Sequence, residues 1–382
     1  MPRILFLDQS GALGGAELYL LDLADAYRET SHTILFENGP FFERLQAEGL
    51  SSEVVSPPAG VLELRKQAGL RTFVRALPGL VPFVKTIAER ASQYDLLFAN
   101  TQKALVIGGL AGLWANRPVV WNLHDLLTAD HFSCISRWSA VLASNLLTQH
   151  VIANSKASCR AYETAGGRTP TSIVYNGIDP APFEAVRDDD VTALRRSLNL
   201  SEAPIIGVFS RLATWKGQHV LIEAAAQRPD VQILLVGDAL FEGDHAYTQT
   251  LRSYIRTFGM TDRVHFLGFR DDIPTIMKLC DIVVHTSTAP EPFGRVIVEG
   301  MLAGRPVVAT KAGGAPEIIN DGQTGRLVPP NDASALYNCL NELLDDPHHA
   351  QTLAKAGKQH ARTTFAPKAM LNGIDRVLDM LA

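Results

Sequence analysis

Short apolar runs alternate along the chain with longer stretches whose hydrophobic residues fall on one side. Residues 3–9, RILFLDQ, form the first run, the pattern of a strand buried on both faces. It stops at Ser10-Gly11-Ala12-Leu13-Gly14-Gly15. From there Ala16, Leu20, Leu23, Ala24 and Tyr27 take helical spacing on one face. Strand, glycine turn, helix is the opening unit of a doubly wound α/β domain, although no GxGxxG fingerprint is present. The same alternation predicts strands over 33–37, 94–100, 118–123, 150–153 and 172–175, and hence a parallel sheet. Residues 180–203 break the rhythm; polar and proline-flanked, with one short helical pattern, they read as a linker. The strand pattern restarts at 204–209 and continues over 231–236, 265–268, 282–285 and 307–309.

Length agrees with two cores, since 382 residues exceed one ordinary domain. Hydrophobic residues at 46% and charged residues at 20% describe a soluble globular chain, and a net charge of −5 argues against nucleic acid as partner. Cys134, Cys159, Cys280 and Cys339 lie far apart with no metal-ligand spacing, as expected of a reducing cytosol. The first apolar run is too short for a signal peptide, and nothing approaches the roughly 18 apolar residues of a membrane span. The expected location is cytoplasmic, at most peripheral on the inner face of a membrane. Residues 61–90 stand apart, with Arg65, Lys66, Arg71, Arg75, Lys85 and Arg90 interleaved among leucines, valines and phenylalanines. That pattern suits an anionic membrane surface. It also suits an ordinary amphipathic helix pair broken at Pro78 and Pro82.

The densest chemistry lies between residues 287 and 317. Glu291 and Glu299 are separated by seven residues, with Pro292-Phe293-Gly294 between them. Pro292 and Gly294 put Glu291 on a loop, while Val296, Ile297, Met301 and Leu302 predict a helix with Glu299 about one turn inside it. Such a helix start offers unpaired N–H groups to a diphosphate. A carboxylate farther along can accept from both ribose hydroxyls. Residues 306–310 read as a buried strand, and Gly313-Gly314 opens another turn. In the loop after 204–209, Arg211 and Lys216 suit a diphosphate clamp, the one bidentate and the other a mobile point charge. His124 follows the strand 118–123, where ligands collect in open α/β sheets. Asp188-Asp189-Asp190 imitates a metal-binding DxD, but an acidic run in a linker reads as solvated, and no bound metal is expected.

EPFG, EGMLAGRPVVAT and GGAPEII-x-DG-x-TG-x-LVPP follow one another without a gap. Together they resemble the retaining glycosyltransferases of family 4, whose signature is Glu-x7-Glu in this context. The resemblance is dense over 205–330 and thinner over 1–180. It implies a GT-B architecture, two Rossmann-like domains facing an interdomain cleft. Residues 1–180 would bind acceptor, 181–203 would link, 204–362 would bind donor, and 363–382 would cross back as a helix. The implied donor set is Gly14, Gly15, Ser210, Arg211, Lys216, Gly237, Asp238, Glu291, Phe293, Gly294, Arg295, Val296 and Glu299. The implied catalytic set is His124, Arg211, Lys216 and Glu291, with His124 touching the transferred sugar and no cofactor or metal. Asn154-Ser155 and Asn176-Gly177-Ile178-Asp179 also match, as turn formers.

The implied reaction moves a sugar from a UDP- or GDP-linked donor to an acceptor hydroxyl with retention, by front-face displacement. A lipid-linked, polysaccharide or other envelope glycan is the expected acceptor. A retaining glycosidase would need a nucleophilic carboxylate about 5–5.5 Å from its acid, and no residue here has a claim to that role. The competing reading is a non-catalytic nucleotide-sugar-binding scaffold or regulatory subunit.

Overall fold

The computed structural model describes residues 2–58, 70–239 and 241–381. The chain divides into two units, Met1–Gly177 with Pro367–Ala382, and Ile178–Ala366. The strands of the first unit are β1 (Ile4–Asp8), β2 (Ser31–Leu35), β3 (Ser52–Val54), β4 (Leu96–Ala99), β5 (Val119–Leu123), β6 (His150–Ala153) and β7 (Thr171–Ile173). They form one sheet in the order β3-β2-β1-β4-β5-β6-β7, with parallel pairing throughout.

The period-2 alternation of β1 shows why the strand is apolar on both sides. Ile4 and Phe6 pack with Leu20 and Leu23 of helix α1 (Gly15–Ala26) and Phe41 of α2 (Pro40–Ala47). Leu5 and Leu7 point the other way, into a core shared with α3 (Leu70–Ala91), α4 (Gln102–Ala115), α5 (Cys134–Leu147) and α6 (Lys156–Thr164). Helices α4, α5 and α6 begin on Thr101, Ser133 and Ser155, whose side chains accept from the backbone N–H of Ala104, Ser136 and Ser158. Each such cap contributes about 1 kcal/mol.

One expectation fails in α3, which runs unbroken through Pro78 and Pro82. An interior proline costs about 3 kcal/mol. The burial of Phe83, Val84, Ile87, Ala88 and Ala91 against the sheet opposes that cost. Within 61–90, residues 61–69 lie outside the described residues.

In the second unit β8 (Ile205–Phe209), β9 (Gln232–Val236), β10 (Val264–Gly268), β11 (Ile282–His285), β12 (Val307–Thr310) and β13 (Arg326–Val328) form a parallel sheet ordered β10-β9-β8-β11-β12-β13. Residues 180–203, read as linker, hold two helices of this unit, α7 (Ala181–Glu184) and α8 (Asp188–Ser197). The Asp188-Asp189-Asp190 run is the first turn of α8, and Arg195 and Arg196 are in its last, charges that complement the helix dipole. The remaining helices are α9 (Gln218–Ala226), α10 (Glu242–Thr257), α11 (Ile273–Leu279), α12 (Arg295–Leu302), α13 (Ala315–Ile318), α14 (Ala333–Asp345) and α15 (Pro347–Thr364). The last helix, α16 (Pro367–Asp379), belongs to the first unit. There it buries Met370, Ile374, Val377 and Leu378, and Tyr27 donates its hydroxyl to Asp375 at 2.7 Å.

Candidate active site

In the second sheet the chain steps from β8 outward through β9 to β10, then returns to lay β11 on the other side of β8. Loops leaving the carboxyl ends of β8 and β11 therefore diverge and open a crevice at the point of reversal. The polar residues Ser210 and Arg211 follow β8, and Thr286 and Ser287 follow His285 at the end of β11. Thr286 and Ser287 are buried, unusual for hydroxyl residues unless they have work for their oxygens.

That work is to hold two loops together around one carboxylate. Oε1 of Glu291 accepts from Lys216 Nζ at 2.8 Å and from Ser287 Oγ, and His285 Nε2 lies 2.8 Å from the same oxygen. Thr286 Oγ1 donates to the carbonyl of Lys216 at 2.9 Å, and the Thr288 N–H donates to the carbonyl of Trp215 at 2.8 Å. Burial alone would raise the Glu291 pKa, but the Lys216 ammonium and His285 outweigh it and hold the carboxyl well below the usual carboxylate range. Glu291 is thus an ionised group whose charge is countered by Lys216, with Oε1 engaged by three side chains.

Glycine makes the loop crossing sterically feasible. A Cβ on Gly313 would lie 2.0 Å from the carbonyl oxygen of Glu291, and the residue sits at φ +59°. Gly314 donates its N–H to that same oxygen at 2.8 Å. Gly217, at φ +70°, would place a Cβ 2.0 Å from the carbonyl of Thr286. Only a residue without a side chain lets the β8 loop approach the β11 loop this closely.

Gly294, at φ +108°, turns the chain into α12, whose first residues are Arg295 and Val296. Phe293 is buried and packs edge-on against Phe365 at 5.6 Å. Glu299 sits one turn into α12, where Arg295 Nε donates to its Oε1 at 2.8 Å. Arg211 does not share the partner of Lys216; its guanidinium lies 3.3 Å from Asp244 and 4.9 Å from the centre of the Phe241 ring. Ser210 Oγ accepts from Gln218, and Gly237 (φ +127°) with Asp238 ends β9 beside it. Ser210, Arg211, Lys216, Gly237, Asp238, Glu291 and Glu299 therefore all belong to one unit.

Gly14, Gly15 and His124 belong to the other. Its sheet reverses between β1 and β4, and a polar network occupies the carboxyl ends of β1, β4 and β5. Asn100 Nδ2 donates to Asp8 Oδ2 at 2.6 Å and to the carbonyl of Ala16 at 3.1 Å. This fixes its Oδ1 toward Asn122 Nδ2 at 2.9 Å and His124 Nε2 at 3.0 Å. Burial pushes His124 down to about 4, so the imidazole is neutral, while Tyr19 packs edge-on against it at 4.9 Å. Gly14 caps α1 and Gly15 is its first residue, with open space where a Cβ would stand. Among the described residues no group of three or more His, Cys, Asp or Glu could hold a metal ion.

Sequence reasoning missed His285, Ser287, Asp8 and Asn100. The signal was available for three of them, since each stands at or just beyond the carboxyl end of an apolar strand.

Two parallel α/β units, each with polar residues gathered at its strand reversal, define the GT-B class of glycosyltransferase fold. Residues 190–360 match the family of group 1 glycosyl transferases and residues 13–182 match glycosyltransferase family 4. The Anabaena protein HepE, solved in complex with UDP-glucose, is 43% identical over 100% of both chains with a TM-score of 0.91. The chain belongs to this glycosyltransferase family. A GDP-mannose-dependent monoacylated alpha-(1-6)-phosphatidylinositol monomannoside mannosyltransferase of Corynebacterium glutamicum is 31% identical over 59% of this chain and 60% of its own length. A D-inositol 3-phosphate glycosyltransferase of Mycolicibacterium vanbaalenii is 34% identical over 54% of this chain and 48% of its own. The chain thus spans about half to three fifths of these curated relatives. Among the described residues no helix is long and apolar enough to cross a membrane.

Proposed function

We propose that this chain is a retaining hexosyltransferase that takes its sugar from a UDP-linked donor. The observation that carries the proposal is the ionised Glu291, held by Lys216, His285 and Ser287 at the strand reversal, eight residues before Glu299 on α12. The UDP-glucose complex of HepE, similar over its full length, favours uracil and glucose over the GDP-mannose of the Corynebacterium relative.

In this reading Glu299 accepts from the ribose hydroxyls and Glu291 from the hydroxyls of the transferred sugar. Arg211, Lys216 and the amides of Phe293, Gly294, Arg295 and Val296 receive the diphosphate, with Ser210, Gly237 and Asp238 shaping the nucleotide's bed. Gly14 and Gly15 offer backbone N–H groups to the diphosphate, and His124 contacts the sugar. The bond from the anomeric carbon to the phosphate oxygen breaks and the acceptor oxygen attacks from the same face. The acceptor's proton passes to the departing phosphate. Charge accumulating on that phosphate is met by fixed cations and amides, with no metal or cofactor assigned. The acceptor is a lipid-linked, polysaccharide or other envelope glycan, and the location is cytoplasmic, peripheral on the inner membrane face, with 61–90 a contact to anionic lipid.

A thermal-shift panel of UDP, GDP, ADP and their common sugars tests this. A ligand at a hundred times its dissociation constant should stabilise by about 2.7 kcal/mol. A shift with UDP ligands, abolished in Glu299→Ala, supports the reading; transfer with inversion at the anomeric carbon would sink it. Binding without turnover in the presence of glycan acceptors would leave the chain a nucleotide-sugar scaffold.

A further inference from the structure

Helix α5 leaves one face uncovered. Ile135, Trp138, Leu142 and Leu146 recur every three or four residues, and Ile135, Trp138 and Leu146 are 78%, 64% and 68% exposed. Surface helices ordinarily turn charge outward, yet α5 has a single charged residue, Arg137, and no carboxylate. The last turn of α4 exposes Leu113 and Trp114 as well. Leu113 and Leu147 line one hollow, so the exposed end of α4 adjoins the exposed end of α5. Exposed apolar residues thus recur on two helices that pack together, more than the isolated exposed leucines that need no explanation.

The net charge of the helices around it is positive. Helix α4 contributes Lys103 and no carboxylate, and neighbouring α6 contributes Lys156 and Arg160 against Glu163. This layer is cationic in a chain whose net charge is −5. Two-fold pairing with a second copy would bring these cations face to face with almost no carboxylate opposite, which costs association. An anionic lipid surface meets both features, since tryptophan and leucine enter the headgroup boundary while lysine and arginine face lipid phosphates.

We propose that the outward face of α4 and α5 docks on an anionic bilayer, with Trp138 and Leu146 as the inserting side chains. Its residues are not those of 61–90. It rests on the proposed transferase reading only for its purpose, which is to bring a lipid-linked acceptor to this unit. Helix α5 starts from the carboxyl edge of the sheet, the edge that carries His124, so its Ile135–Trp138 end is the one nearest that chemistry.

The test uses the full chain and flotation with vesicles of phosphatidylcholine alone or mixed equally with phosphatidylglycerol. Wild type should float with the anionic vesicles only and detach at high salt. The double variant Trp138→Ser/Leu146→Ser should lose ~tenfold or more in partitioning. Its UDP melting shift should equal that of wild type, which shows an intact fold. Absence of wild-type flotation, or flotation unchanged in the double variant, overturns the proposal. So does a concentration-dependent dimer that the double variant dissolves without any vesicle binding. Flotation that persists in a protein with no UDP shift would leave the docking surface standing and remove the transferase reading instead.

Discussion

Lys216 and Glu291 are 75 residues apart in the chain and 2.8 Å apart in the fold. The ion pair ties the loop after β8 to the loop after β11 across the strand reversal of the second sheet. Both side chains are mostly buried, so neither charge is well solvated without the other. Removing one member of such a pair strands the other and typically costs about 3–5 kcal/mol.

Lys216→Ala should therefore lower stability by about 3 kcal/mol and sugar transfer by a hundredfold or more. Lys216→Met combined with Glu291→Gln should recover part of the stability but none of the turnover, because the stranded charge is gone and the diphosphate cation is still missing. Urea unfolding of Lys216→Met, Glu291→Gln and the double gives the coupling energy directly. Additive effects would mean that the pair is incidental to both fold and site.

Gly313→Ala should harm the site without touching a functional side chain. The new methyl would meet the Glu291 carbonyl oxygen at 2.0 Å, and φ +59° is unfavourable for any residue with a Cβ. The expected loss is about 2 kcal/mol or more in stability, with turnover falling as the Glu291 loop shifts. Gly322→Ala is the control. It has the same sign of φ (+72°) but nothing within 4 Å, so it should cost only the backbone strain and leave turnover alone.

How much of this was legible depended on whether a residue's neighbours lie in its own segment. Strands 150–153 and 282–285 were read to the residue because an uninterrupted apolar run needs no tertiary context. Ser52–Val54 and Arg326–Val328 were missed; both are three-residue strands at the sheet edges, only partly buried, and their composition carries no run. Helix α3 overrode two prolines through packing that the local sequence does not show. At the site, the spacing of Glu291 and Glu299 was visible. The company of His285 and Ser287, six and four residues upstream, was not, because their side chains meet Glu291 only through the turn that the loop after β11 makes.

Acid should weaken the protein through Glu291. Its carboxyl is depressed in the fold, so the unfolded chain takes up a proton first as pH falls. Its contribution to stability is complete above the unfolded value, about 4.3, and is lost as pH drops through the lower folded value. Glu291→Gln should lack that dependence, so the gap between its urea midpoint and that of wild type should close from pH 6 toward pH 3. A constant gap would show that Glu291 is not depressed.

Asp8 should act in the opposite direction. It is fully buried, and burial, with Glu17 nearby, raises its carboxyl to about 7 although Asn100 and the Ser10 N–H donate to it. The folded protein then holds this proton between about pH 4 and pH 7, where the unfolded chain has released it, so stability falls as pH rises across that window. Above it the full cost of a buried carboxylate applies, on the order of 3–4 kcal/mol. Asp8→Asn has nothing to ionise, but it keeps one acceptor oxygen where Asn100 Nδ2 and the Ser10 N–H use two, so it gives up one of these hydrogen bonds at every pH. Relative to wild type it should gain stability as pH rises from 4 to 8.5. Because both proteins share every other titrating group, the difference between their urea midpoints isolates Asp8. A difference that does not change between pH 4 and pH 8.5 would mean that the Asp8 carboxyl is not raised in the fold.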